Sequence, residues 1–227
     1  LMKNRILSLL MLITIGVSLS PAAAKIAVVT KVKGLVEMER GKSGFSALKP
    51  GVILEDGDRV RTGSNGFTAV IYIDDKSLLK IKEDTEIVIS GKRDVNSISK
   101  EVNIGQGTLR ASVGKQKKGA FVVKSPTSVA SVKGTVFDFI SDPDAGDQII
   151  GIEGIIELTN LLTGASVDIT EGLTGFSDQD GSLNSAPTDP STIPTYPDDA
   201  ETGGSSFLKI ILEGPDGNEK TIIIEYQ

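Results

Sequence analysis

The sequence predicts an all-β protein: many short strands in a two-sheet sandwich or solenoid-like β-roll, followed by a C-terminal β-hairpin. Two observations carry this. Apolar and β-branched residues recur with a period of two in runs of four to eight residues, bounded by Gly, Asn or Asp. After residue 24, no stretch shows an apolar stripe at helical spacing with start and stop signals around it.

Taken in order, Val28, Thr30 and Val32 alternate with Val29, Lys31 and Lys33. Phe67, Ala69, Ile71 and Ile73 alternate with Thr68, Val70 and Tyr72, and Leu79, Ile81, Ile87 and Ile89 continue the pattern. Strands are expected at 26–31, 34–39, 59–62, 67–73, 78–82, 86–90, 101–104 and 107–113. Further ones are expected at 120–125, 128–132, 135–141, 148–152, 155–160 and 165–169. These runs make up one domain over 25–176.

The stretch 177–206 differs. It holds four of the nine prolines (Pro187, Pro190, Pro194, Pro197) among Ser, Thr, Asp and Gly, with little to bury, and is expected to be a mobile acidic linker. Residues 207–227 then read as a hairpin, with Phe207–Leu212 and Thr221–Tyr226 flanking Gly214-Pro215-Asp216-Gly217-Asn218. An isolated hairpin is barely stable in water, so this one is expected to dock on the domain or on a partner.

Residues 1–24 read as a signal peptide. Lys3 and Arg5 precede an apolar run from Ile6 to Leu19, and Ala22-Ala23-Ala24 supplies the small residues of a cleavage site. The run is shorter than the roughly 20 residues a membrane span needs, so no span is expected after cleavage. The expected location is the periplasm, with the cell surface or exterior as the alternative.

Composition narrows the chemistry. The 227 residues include no Cys, His or Trp, which removes disulfides, thiolate metal sites and the commonest general base. No enzyme and no cofactor are expected. Residues 25–133 carry 20 Lys/Arg against 12 Asp/Glu, whereas 134–176 carry 8 acids and no base. The basic side chains are scattered with few aromatics among them to stack on bases, so nucleic acid is not an expected partner. The basic and acidic parts are expected to attract each other within one fold.

Several short motifs follow one another. Leu48-Lys49-Pro50-Gly51 leads to Leu54-Glu55-Asp56-Gly57-Asp58, then to Val60-Arg61-Thr62-Gly63-Ser64-Asn65-Gly66. The strand Ala69–Ile73 reaches the turn Asp74-Asp75-Lys76-Ser77, and Ile104-Gly105-Gln106-Gly107-Thr108 comes later. Then come Ser125-Pro126-Thr127, Val132-Lys133-Gly134-Thr135-Val136-Phe137 and Ile152-Glu153-Gly154-Ile155. In this order they resemble the FecR family over roughly residues 30 to 175. Lys133 stands where the family pattern has Arg, and Asp74-Asp75-Lys76-Ser77 replaces its Asp-Gly-Ser turn.

The resemblance marks Gly51, Gly57, Asp58, Thr62, Gly63, Gly107, Pro126, Lys133, Gly134, Thr135, Glu153 and Gly154 as motif positions, and their residue types suit scaffold work at turns and close approaches. Gly134 is expected where one strand passes close to another, and Lys133 is expected to pair with an acid such as Glu153. Paired carboxylates occur at Asp56/Asp58 and Asp74/Asp75 and read as turn residues. Asp142, Asp144 and Asp147 form a weak calcium candidate, lacking the distal Glu of a complete loop.

The resemblance also implies a role. FecR domains are the periplasmic sensor parts of transmembrane regulators that pass a signal from an outer-membrane transporter to a cytoplasmic sigma factor. With a signal peptide and no cytoplasmic helical part, this chain is expected to be a sensing or protein-binding module for an envelope protein partner, engaged by strand addition or by the hairpin. The alternative is a surface protein that binds peptidoglycan or another glycan, for which exposed aromatic rings would be needed.

Overall fold

The computed structural model describes residues 24–95, 97–116, 119–198, 206–213 and 219–226. The expected signal peptide lies outside these residues, apart from Ala24. The strands are β1 (Lys25–Lys33), β2 (Val36–Glu39), β3 (Ser46–Ala47), β4 (Ile53–Glu55), β5 (Asp58–Thr62), β6 (Phe67–Tyr72), β7 (Leu78–Ile81), β8 (Glu86–Arg93) and β9 (Ile98–Val113). They continue as β10 (Phe121–Lys124), β11 (Ser128–Val132), β12 (Thr135–Asp142), β13 (Gly146–Glu153), β14 (Ile155–Asn160), β15 (Ser166–Thr170), β16 (Leu173–Ser177) and β17 (Leu183–Pro187). A hairpin of β18 (Ser206–Glu213) and β19 (Glu219–Tyr226) follows. The all-β reading therefore holds, and no helix among the described residues is long and apolar enough to cross a membrane.

The pairings resolve into two sheets that share one strand. The first runs β4-β1-β6-β7-β9-β12-β13-β16-β17. The second runs β3-β2-β5-β8-β9-β10-β11-β14-β15. Strand β9 is central to both: residues 98–106 pair with β8, and residues 107–113 pair with β12. The crossover lies at Gly105-Gln106-Gly107. Gly107 has φ +108°, and a Cβ there would lie 2.2 Å from Thr85 Oγ1. The glycines that read as a break between two strands instead let one strand turn from sheet to sheet. All pairs are antiparallel except β9 with β10, and the strand set does not close into a barrel.

Alternation builds the interior. Ile87 and Ile89 on β8, Val102 and Ile104 on β9, Phe137 and Phe139 on β12 and Leu158 on β14 belong to one apolar cluster. Side chains from both sheets meet there, as a period of two requires when each sheet turns one face inward. Strand β6 is an exception, because every one of its residues is buried. Its outer face, bearing Phe67 and Ala69, is covered by Tyr196.

That cover lies in the segment expected to be a mobile linker. The structure instead pairs β17 with β16, forms a 3₁₀ turn at Pro190–Thr192, and buries Tyr196. A segment with almost nothing to bury is thus held by one large ring and by polar bonds. Strands β3 and β4 are only two and three residues long, and β16 and β17 show no clear alternation, so these four went unforeseen. The C-terminal hairpin is present, with Leu208 opposite Ile224 and Ile210 opposite Ile222.

Candidate functional site

The Gly-Thr and Glu-Gly motifs, far apart in sequence, arrive at one place. Strand β12 pairs with β13 so that Val136 faces Glu153 and Phe137 faces Gly151, with a bulge between. That register puts the turn before β12 beside the turn between β13 and β14. The result is a shallow groove of about 560 Å³ lined by Val113, Lys115, Lys133, Gly134, Thr135, Glu153, Gly154 and Ile155.

Two glycines let the turns nest. Gly154 has φ +82°, and a Cβ there would stand 2.9 Å from the Gly134 carbonyl oxygen and 3.1 Å from Thr135 Oγ1. Gly134 has φ +153°, a conformation that side-chain-bearing residues rarely adopt. The expected strand clash at Gly134 is not the cause, because the nearest atom to a Cβ there is Lys115 Cα at an ordinary 3.5 Å. Thr135 Oγ1 donates to the Ile155 carbonyl at 3.2 Å, and Gln116 N–H donates to the Lys133 carbonyl at 2.9 Å.

The groove is open and mixed in character. Ile155 is 59% exposed, and Lys133 and Glu153 are also exposed. The expected Lys133–Glu153 ion pair does not form among the described residues: in water, two exposed side chains gain too little from pairing to offset their lost freedom. The site therefore offers an apolar contact, two cations and one anion to a partner, and no nucleophile poised beside a base.

The remaining motif positions lie elsewhere. Gly51 and Gly57 both have φ +85° and open space around them, as turn residues do. Asp58 is buried and accepts from Arg40 Nε at 2.9 Å, Arg40 Nη2 at 2.7 Å and the Glu55 N–H at 2.8 Å. Thr62 Oγ1 donates to the Lys82 carbonyl at 2.5 Å and accepts from the Thr85 N–H at 3.0 Å. A Cβ on Gly63 would press on the Leu35 side chain at 3.1 Å. Each of these closes a turn or ties neighbouring strands together.

Pro126 lines a second cleft, of about 450 Å³, with Thr127, Asp142, Pro143, Leu161 and Leu162 among its walls. Here the calcium candidate comes apart. Asp142 accepts from the Asp144 and Ala145 N–H groups at 2.8 and 3.0 Å, closing its own turn. Asp147 is buried and accepts from the Ser125 and Ser128 hydroxyls. Among the described residues, no three acidic side chains are placed to hold a metal ion.

The two acid pairs also have structural roles. Asp56 accepts from the Gly91 N–H at 2.9 Å. Asp74 and Asp75 both take Lys100 Nζ at 2.9 Å, and that ammonium is buried. Lys100 escaped notice because a lysine at a core-facing position of a strand reads as solvent-exposed until its partners are known. Arg110 and Asp138 were missed for the same reason, and Tyr196 because it lies in the proline-rich stretch that reads as a linker. Several ion pairs of the basic front part are with acids of that same part, such as Arg61 with Glu37 and Arg40 with Glu55. Arg110–Asp138 joins the two parts as expected, and Lys80–Asp198 ties the basic part to the stretch expected to be a linker.

Comparison with known proteins follows the same outline. No curated protein matches the sequence. Two crystal structures of a candidate anti-sigma factor from Parabacteroides distasonis resemble this chain at 13% identity, with TM-scores of 0.50 and 0.49. Each likeness covers 58% of this chain and 60% of the solved one, so this chain spans about three fifths of that protein's length. At such identity the likeness is one of fold. Residues 58–157, which contain the whole groove, match the family model described as FecR protein, and over that segment the chain carries the FecR domain that its ordered motifs resemble.

Proposed function

We propose that this chain is a non-enzymatic, FecR-like sensing or protein-binding module of the cell envelope, and that it engages a protein partner through the groove beside Ile155. The observation that carries this reading is the convergence of Lys133-Gly134-Thr135 and Glu153-Gly154-Ile155 on one open surface inside the FecR segment. An exposed isoleucine ringed by charges suits an amphipathic protein segment, with the apolar contact giving affinity and the rim charges giving register. The FecR match and the fold shared with a candidate anti-sigma factor support a regulatory role rather than turnover. The signal-peptide pattern of residues 1–24 supports a periplasmic location, with the cell surface or exterior as the alternative. The glycan alternative loses support, because Tyr72 and Tyr196, two of the rings a sugar platform would use, are buried.

The test is a photo-crosslinking side chain at Ile155 in intact cells, with the same group at exposed Leu162 as a control. A discrete protein adduct from position 155 and not from 162 is expected. Co-sedimentation of the purified chain with peptidoglycan, together with no protein adduct at 155, would overturn the reading.

A further inference from the structure

The strap over the first sheet is fastened at one point by a dense set of bonds. Tyr196 is the only buried residue among the described positions from 178 to 198. Its ring packs edge-on against Phe67, with centroids 6.4 Å apart, and joins Ala69 and Leu78 in a small apolar cluster outside the main core. Its hydroxyl donates to Asp138 Oδ1 at 2.9 Å, and Asp138 is fully buried. Arg110 holds the same carboxylate through Nε and Nη2, both at 2.8 Å, and lies over the Tyr196 ring at 4.7 Å.

The strap's backbone is read as well. Arg110 Nη2 donates to the Pro194 carbonyl at 3.1 Å, Lys33 Nζ donates to the Pro197 carbonyl at 3.0 Å, and Lys80 pairs with Asp198 at 3.1 Å. Lys31 also lies in this field: burial, then repulsion from Lys33, holds its ammonium below the usual lysine range, while Asp198 acts in the opposite direction. The surface is thus cationic around a tyrosine-shaped recess with a carboxylate at its base. None of its residues belongs to the groove at Ile155.

No strand ladder involves residues 188–198. Releasing residues 193–198 breaks bonds made through side chains and leaves both sheets paired. This is how a peptide sits in a binding site rather than how a core segment sits in a fold.

We propose that the outer face of β6, β7, β9 and β12 is an exchangeable peptide site, filled in cis by Ile193–Asp198. In trans it would take a partner's extended, acidic segment bearing a tyrosine followed by proline and an acid. A tethered segment competes at an effective concentration of about millimolar, so a partner gains the site only with affinity well beyond that or when the strap is weakened. Occupation by a partner would release the strap. The proposal does not depend on the groove reading, since it concerns a different surface and a different ligand.

The experiment uses full-length protein and a labelled synthetic peptide of residues 190–199. The Tyr196→Ala chain should bind the peptide saturably, and the unaltered chain about tenfold or more weakly. A peptide with Phe at the Tyr196 position, or a chain that also carries Arg110→Met, should lose about tenfold or more, as expected for a hydrogen bond to a charged group. No saturable binding by a folded Tyr196→Ala chain, or equal binding of the Phe peptide, overturns the proposal. A second measurement does not depend on that variant folding. The chain has three tyrosines, so ring-carbon NMR of the unaltered protein reads Tyr196 directly. Excess peptide should drive its signal to the solvent-exposed position, and a signal that stays fixed at hundredfold excess overturns the exchange. A strap-dependent dimer in sedimentation would make a second copy the occupant and overturn the assignment in cis.

Discussion

Two buried clusters of charge use the same chemistry for different ends. At one, Lys100 Nζ sits between Asp74 and Asp75 at 2.9 Å each, and Gln116 Nε2 donates to Asp75 at 2.6 Å. Its members come from the β6–β7 turn, from β9 and from the loop after β9, all integral to the sheets. At the other, Arg110 and Asp138 sit on neighbouring strands of one sheet, but the third member, Tyr196, belongs to a strap that makes no ladder. A cation paired with a buried acid is costly to remove wherever it lies, because the charge left behind is uncompensated. What differs is how much structure depends on it. Breaking the first should unlock the sheets, and breaking the second should mainly free the strap.

The largest expected effect is therefore Lys100→Met. It leaves two carboxylates facing each other with their other donors, the Ile98 and Ser77 N–H groups and Gln116 Nε2, still in place. A loss of about 3–5 kcal/mol is expected, seen as one cooperative fall in chemical denaturation. A loss below about 1 kcal/mol would show the cluster to be solvated and would erase the contrast. Next is Arg110→Met, which leaves the Asp138 carboxylate with the Tyr196 hydroxyl as its one side-chain donor among the described residues. We expect a loss of about 2–3 kcal/mol, together with faster proteolysis within 178–198. Faster cleavage throughout the sheets as well would mean that the strap is part of the core.

These clusters also mark what could be read from sequence and what could not. Alternation in Val136-Phe137-Asp138-Phe139 signals a strand whichever residues it pairs with, and the turn glycines signal corners, so most strands were legible. The partner of Asp138 was not: Tyr196 lies 58 positions away, and the carbonyl that Arg110 holds lies 84 positions from it. A ring in a proline-rich stretch looks like linker chemistry until a cationic recess is found to fit it. The groove was half legible. Its Gly-Thr and Glu-Gly motifs could be marked, but their meeting depends on the bulge between Val136 and Phe137, which no local signal announces. The continuity of β9 was hidden likewise, since Gly105 and Gly107 carry the same sequence signature in a turn as in a sheet-to-sheet bend.

Acid should separate the clusters further. Burial raises the Asp75 carboxyl, but hydrogen bonds from Lys100, the Ser77 N–H and Gln116, with the Lys100 charge, outweigh it and hold the group below the ordinary aspartate range. A depressed folded-state value means stability that is fully present above the unfolded value, near 3.9, and is lost as pH falls through the folded one. The unaltered chain should thus weaken below about pH 4. In Lys100→Met the burial contribution dominates and the dependence should flatten or reverse, as followed by denaturation midpoints between pH 2.5 and 6. A parallel acid loss in both proteins would remove Asp75 as its source.

The smallest expected effect tests the strap alone. Tyr196→Phe keeps the ring against Phe67 and removes only the hydroxyl that donates to Asp138. Asp138 keeps both Arg110 bonds, so the buried charge stays compensated and the cost should sit at the low end for a hydrogen bond to a charged group, about 1.5 kcal/mol. Since the strap makes no ladder, that cost should fall on its attachment: amide exchange should quicken at 193–198, while β6, β9 and β12 keep their protection. The same quickening in those strands would show that the sheets depend on the strap, and the two clusters would then do one job rather than two.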